Sequence, residues 1–345
     1  MRALQMVGYQ TPPELREVPE PEPGPGQVVL RVGGAGACHS DLHLLHEFPE
    51  GLLPWTLPFT LGHENAGWVD ALGEGVTGLE VGQPVAVYGP WGCGHCARCL
   101  QGMENYCVQG LDLPAAAGGL GGDGGMADKM LVPDARRLVP LGDLDVVQAA
   151  PLTDAGLTPY HAVKRSLPLL VPGSHALVIG VGGLGHLAVQ LLEALTPATV
   201  IAVDARPEAL AMAAEVGAEH TVEAGPMAAM AVQEATKGKG IDVAIDLVGS
   251  DDTLALAAAV TRSLGHVTLV GIAGGTFGFG YFTAGYEVSF ASTYWGSITE
   301  LGEVLALAER GLVRAHVTTF GLDEAAGAYE RLRAGEVDGR AVIVP

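Results

Sequence analysis

Positive charge is scarce in this chain. Lysine occurs only four times in 345 residues, and lysine plus arginine number 18 against 39 aspartates and glutamates, a formal charge of 18 − 39 = −21. A nucleic-acid partner would require a basic stripe to neutralise phosphates, and none is visible, so no nucleic-acid role is expected. The acid excess reads as a solvated surface, in which a local positive pocket can still hold a phosphate. Long apolar runs are missing as well. The most apolar region, roughly 176–203, is broken by glycines, His186, Glu193 and Pro197. It reads as two strands around a helix, and no membrane partner is expected. The opening stretch MRALQMVGYQTPPELREVPE has neither an apolar core nor a cleavage pattern, which argues against a secretory signal. Cysteine is sparse, five in all. The expectation is a reducing cytoplasm, where clustered cysteines bind metal more often than they form disulfides.

What is present is enough for two domains. The chain exceeds one ordinary core, and 48% hydrophobic against 17% charged residues supplies ample material for burial. Up to about residue 150, short apolar runs such as QVVLRVG, AGWVDALG, QPVAVYG and DKMLVP alternate with glycine and proline and read as strands. VPEPEPGPG is a stiff, exposed connector, and GGLGGDGGMA from Gly118 reads as a flexible loop. From about residue 155 strands alternate with helices: HALVIGVG, an apolar helix, ATVIAVDA, then PEALAMAAEVGA, and later IDVAIDLVG and HVTLVGIAGG. That rhythm builds a parallel, doubly wound sheet. The expected class is α/β, a β-rich half joined to a Rossmann-type half.

The turn VIGVGGLG gives Gly180-x-Gly182-x-x-Gly185 after a strand and at the mouth of a helix, with Gly183 and Leu184 between the second and third glycines. The first glycine makes the tight turn, the second admits a pyrophosphate, and the third lets helix pack on strand. The helix N-terminus adds N–H groups and partial positive charge for phosphates. Asp204 stands at the end of the next strand, nineteen residues after Gly185. A carboxylate there binds the adenosine ribose hydroxyls and repels a 2′-phosphate, so the expected cofactor is NAD. Arg206 is a candidate for the adenine face, with a solvated surface arginine as the alternative.

Four of the five cysteines, Cys93, Cys96, Cys99 and Cys107, are spaced C-x2-C-x2-C-x7-C. Four thiolates so close form a closed tetrahedral zinc site that holds a lobe together. The fifth, Cys38, lies in GACHSDLHLLH far from the others, which leaves a metal ligand, a nucleophile or a plain buried thiol. LGHENAG offers His63 followed by Glu64. A catalytic zinc keeps three protein ligands and one open position. Spacing alone does not identify the third ligand, for which Glu64 and Asp154, the latter in APLTDAGLTPYHAV, are the carboxylate candidates.

The ordered set CHSD, GHENAG, CGHCARC…C, GVGGLG and VIAVD resembles the zinc-dependent medium-chain alcohol dehydrogenases along essentially the whole chain. PLTDAGLTPYHA, YGPWGCG and TYWGS resemble the bacterial secondary-alcohol dehydrogenases of that family. The resemblance implies a GroES-like catalytic domain over 1–154 and 292–345, with the zinc lobe near 90–110, and an NAD-binding Rossmann domain over 155–291. It implies that Cys38, His63 and Asp154 ligate a catalytic zinc. Glu64 would stand behind it as a transient ligand, and Asp41 would fix the tautomer of His63. Ser40 would take the alcohol proton and pass it through the cofactor ribose to His43. Two Zn2+ per subunit, one catalytic and one structural, complete the set. Many animal members carry a third cysteine where Asp154 stands, and often arginine where His39 stands. Trp55, Leu120 and Trp295 are the pocket candidates by the same resemblance.

The implied activity is hydride transfer between a secondary, and also a primary, alcohol and NAD. The alternatives are a polyol or other dehydrogenase of the same fold and a non-catalytic zinc- or nucleotide-binding protein. A homodimer or homotetramer is expected, with a strand near 287–291 and the run GFGYFTAGYEVSF suited to an interface, to sheet core or to the substrate pocket.

Overall fold

The computed structural model describes residues 1–345 apart from Leu111. The chain divides into two compact units, Met1–Leu157 with Gly296–Pro345, and Thr158–Trp295. Among the described residues no helix is long and apolar enough to cross a membrane.

In the first unit the strand Val28–Ala37, valine-led at its start, small at its end and buried along nearly its whole length, is the spine of the main sheet. It pairs antiparallel with Glu64–Leu72, with Lys129–Val132 and with the C-terminal strand Arg340–Val344. Pro84–Val87 and Leu138–Pro140 extend the sheet on one side and Val317–Gly321 on the other. The inward faces meet in one core that includes Leu30, Val32, Leu45, Leu61, Val85, Met126, Tyr329 and Ile343. The arrangement places three distant segments at one address. The spine runs directly into Cys38 and the helix His39–His46, the neighbouring strand begins at Glu64, and the last strand begins at Arg340.

The glycine run after Gly118 differs from its expected flexibility. It is mostly buried and is stitched to the segment before His63, Gly124 N–H donating to Thr60 O at 2.8 Å, Gly125 N–H to Gly62 O at 3.0 Å and Met126 N–H to Leu61 O at 2.9 Å. A Cβ on Gly124 would lie 2.2 Å from Gly62 O. The glycines here serve close backbone approach, a use that composition does not distinguish from flexibility.

The second unit holds a six-stranded sheet in the order His220–Glu223, Thr199–Asp204, His175–Ile179, Ile241–Asp246, Thr261–Leu269, Ser289–Ser292. Every pair is parallel. Numbered along the chain this is 3-2-1-4-5-6, the doubly wound order, whose direction of winding reverses between strands 1 and 4. The glycine turn follows strand 1 and therefore sits where such sheets bind ligands. Ser289–Ser292 is an edge strand. The aromatic run before it is not sheet core: Tyr281 is 74% and Phe282 90% exposed.

Candidate active site

Cys38 sits in extended backbone, φ −112° and ψ 155°, where the spine strand turns into the helix His39–His46. Its sulfur, an imidazole nitrogen of His63 and a carboxylate oxygen of Asp154 lie within 4.8 Å of one another. His63 Nε2 is 3.4 Å from Asp154 Oδ2. His63 is buried, while the Asp154 side chain is 14% exposed. Burial opposes a charge on His63, but the carboxylates of Asp41 and Asp154 outweigh it and lift the imidazole well above its ordinary value. A buried imidazole among carboxylates and a thiol is an environment that favours a cation. Sulfur, nitrogen and oxygen donors, three in number, fit zinc with one position left open.

Asp41 organises this group. It is fully buried, and its Oδ1 accepts from His63 Nδ1 at 3.1 Å. Its Oδ2 accepts from Cys38 N–H at 3.0 Å and from the hydroxyl of Tyr329 at 2.8 Å. Burial and the adjacent Asp41 charge raise the Tyr329 hydroxyl well above its usual value, so it stays a neutral donor. With a carboxylate on Nδ1, Nε2 is the nitrogen of His63 that faces Asp154.

Glu64 follows His63 in sequence but faces another partner. Arg340, also fully buried, donates from Nε to Oε2 at 2.8 Å and from Nη2 to Oε1, and Ala155 N–H donates to Oε1 at 3.0 Å. Burial pushes the Glu64 carboxyl up, and Arg340 works against that. The carboxylate lies over the backbone of Gly36, where a Cβ would come within 1.8 Å of Oε2. Ser40 and His43 lie on the helix after Cys38. The Cys38 thiol approaches Ser40 Oγ at 3.5 Å, and His43 Nδ1 is 2.6 Å from Glu47 Oε2, with Glu47 exposed.

The four remaining cysteines are drawn together with their sulfurs within 4.8 Å of one another. Sγ separations of 3.9 Å for Cys93–Cys99 and 3.5 Å for Cys96–Cys99 are far from a disulfide bond, and all five cysteines are free. Four sulfurs about 2.3 Å from a central zinc stand about 3.8 Å apart, which this lobe matches. Backbone N–H groups of Cys96, Cys99 and Gln109 point at neighbouring sulfurs. Those of Cys99 and Val108 bring the Cys96 thiol down to about 6, toward the thiolate that metal requires, whereas burial pushes Cys99 up. His95 turns away and is exposed, its Nδ1 2.8 Å from Cys93 O. Arg137 braces the lobe, donating to Glu104 Oε2, to Pro90 O and to Gly92 O.

In the second unit Gly180 has φ +87°, a backbone that side chains rarely adopt. A Cβ on Gly185 would lie 2.0 Å from Gly180 O, whereas one on Gly182 would meet nothing within 4 Å. The third glycine is thus needed for packing, and the second faces open space of the kind a phosphate fills. Gly183 and Leu184 are half-buried in the same turn. Asp204 ties the neighbouring strand to this turn, accepting from Val181 N–H at 2.7 Å and from Arg206 N–H at 2.9 Å. Arg206 Nε is 3.7 Å from Asp204 Oδ1.

Trp55 is half-buried, edge-on to Phe59 at 6.0 Å, and would clash with any side chain at Gly121; Leu120 also packs at the margin of that core. Trp295 is buried at the end of the second unit, 5.3 Å from Tyr294. Arg340 and Tyr329 escaped the sequence reading. The available signal was a single arginine in GRAVIVP, an otherwise apolar strand, which calls for a buried carboxylate partner.

Residues 24–143 match the family model described as alcohol dehydrogenase GroES-like domain, and residues 183–310 that of zinc-binding dehydrogenase. An NAD-dependent alcohol dehydrogenase of Sulfurisphaera tokodaii is 37% identical over the full length of both chains. A D-arabinose 1-dehydrogenase (NADP(+)) of Saccharolobus solfataricus is 33% identical, covering 100% of this chain and 97% of its own. The solved alcohol dehydrogenase of Aeropyrum pernix is 40% identical, with a TM-score of 0.92 over all of both chains.

Proposed function

The chain belongs to the zinc-dependent medium-chain alcohol dehydrogenases, and on that premise we propose that it transfers hydride between a secondary or primary alcohol and NAD, giving ketone or aldehyde and NADH. The observation that carries this reading is the convergence of Cys38, His63 and Asp154 within 4.8 Å. The unit Met1–Leu157 with Gly296–Pro345 is the catalytic domain, and Thr158–Trp295 the NAD-binding domain. Two zinc ions per subunit are held, one by Cys38, His63 and Asp154, the other by Cys93, Cys96, Cys99 and Cys107. Free cysteines throughout fit a reducing cytoplasm.

Bound in these places, zinc supplies Lewis-acid stabilisation of charge on the alcohol oxygen and NAD supplies the hydride acceptor. The chain's own residues do the rest. Asp41, at Nδ1, holds His63 in the tautomer that presents Nε2 toward Asp154 as the ligating nitrogen. Ser40 Oγ, beside Cys38, takes up the alcohol proton, and His43 carries it outward, with Glu47 at its Nδ1 opening to solvent. Arg340 opposes the effect of burial on the Glu64 carboxyl and holds it behind His63, in reserve as an exchange ligand. Asp204 sets the register of the glycine turn and selects a ribose without a 2′-phosphate. Trp55 and Leu120 line the alcohol side of the first unit, and Trp295 is a pocket candidate at the end of the second.

A second copy of the chain docks along the edge strand Ser289–Ser292, whose flank carries Phe277, Phe279 and Phe290 around an apolar groove. The kinship with a D-arabinose dehydrogenase favours, as a second reading, a sugar or polyol as the alcohol.

Cys38→Ser tests the site. Zinc should fall from two ions per chain to one and NADH formation should vanish, with NAD binding unchanged. Turnover at the wild-type rate would contradict the assignment.

A further inference from the structure

We infer that Tyr329 is a positioning residue for the Cys38, His63 and Asp154 group, its hydroxyl fixing the Asp41 carboxylate that holds Cys38 and His63 together. The inference rests on reading that group as an open zinc site.

Asp41 touches two of the three converging residues at once, His63 through Nδ1 and Cys38 through its backbone N–H. The carboxylate is therefore a buried acceptor that couples the two motifs to each other. Its Oδ1 is held by His63 and its Oδ2 by Cys38 N–H, the latter bond belonging to the capping box of the helix His39–His46. The third donor comes from elsewhere: Tyr329, on the helix Ala325–Arg333, is 288 residues distant in sequence and donates to Oδ2 at 2.8 Å, the shortest of the three bonds. The hydroxyl adds a second, charge-assisted donor to the oxygen that Cys38 N–H already holds, and so ties the carboxylate to a third segment of the chain. Tyr329 is itself fixed by burial. Its ring is fully buried, and its hydroxyl lies 3.2 Å from Met126 Sδ. Met126 is stitched in turn to Leu61, two residues before His63. Outer partners of ligating histidines typically carry a factor of 10–100 in metal affinity, and a partner one bond further out is expected near the lower end, roughly tenfold.

Tyr329→Phe keeps the buried ring and removes only the donor. The probe is Co2+, titrated against a chromophoric chelator into protein whose cysteine lobe retains zinc, with the visible ligand-field spectrum recorded. The expected result is roughly tenfold weaker Co2+ retention and a shifted ligand-field spectrum, with thermal unfolding of the zinc-loaded lobe and NAD binding close to wild type. Met126→Leu, which leaves the hydroxyl in place, should match wild type in both readouts. An unchanged affinity and spectrum in Tyr329→Phe would overturn the assignment while leaving the zinc site standing. Wild-type protein that takes up no Co2+ beyond the lobe would overturn both. A Tyr329→Phe chain that fails to fold would make the hydroxyl a determinant of folding and likewise overturn it.

Discussion

Arg340 grips both carboxylate oxygens of Glu64 across 276 residues of chain, and both side chains are fully buried. The pair joins the last strand of the protein to the residue after His63, so the C-terminus is part of the site's foundation. Removing one member of a buried ion pair strands the other, at a cost of about 3–5 kcal/mol. Arg340→Met should lower the stability of the first unit by that amount in denaturant unfolding. Replacing both, as Glu64→Leu with Arg340→Met, should recover much of it. A single variant as stable as wild type would show that the pair carries no such weight.

Asp204 has two tasks, and its replacement should separate them. In Asp204→Ser the backbone bonds to Val181 and Arg206 weaken and the negative charge disappears. The ratio of kcat/KM for NAD over NADP should fall by roughly tenfold or more, equivalent to ~1.4 kcal/mol. A ratio that stays put would remove Asp204 from the ribose.

The cysteine lobe should behave as a brace. Cys107→Ser should release one zinc per chain and lower the melting temperature. The remaining zinc should stay sensitive to Cys38→Ser. Full zinc content in the variant would contradict a four-sulfur site.

Acid stability offers a test with a definite sign. Hydrogen bonding from Arg2 holds the Asp128 carboxyl below its ordinary value, against a smaller desolvation effect. A group whose folded pKa is depressed adds stability above its unfolded pKa and loses it as pH falls through the folded value. Asp128→Asn should therefore flatten the loss of stability below about pH 4. The pair is about a third exposed, so the difference should stay under ~1 kcal/mol. Urea unfolding across the acid range checks it, and an acid limb as steep as wild type would refute it.

Much of this architecture was legible because its signals are local. The short apolar run at Val28–Ala37 and the strand–glycine turn–helix at Gly180–Gly185 each depend on neighbours within a few residues. Cys38 and His63 stood out by residue type. Asp154 could be chosen over Glu64 only by resemblance, since both are carboxylates near plausible positions and spacing carries no three-dimensional address. The partners of Arg340 and Tyr329 were hidden for the same reason more strongly: they lie 276 and 288 residues away and are reached only through strand pairing and helix packing. The glycine run after Gly118 misled because close packing and flexibility select the same residue. The aromatic run near Phe282 misled in part because apolarity does not distinguish sheet core from an exposed edge.

The most direct test of the account is NADH formation over a panel of primary and secondary alcohols and sugars, before and after removal of metal and again after zinc is restored. The account predicts NAD-linked turnover on simple alcohols, fastest on secondary ones, abolished by metal removal and recovered with zinc. Zinc-loaded protein that binds NAD yet oxidises no simple alcohol would contradict it.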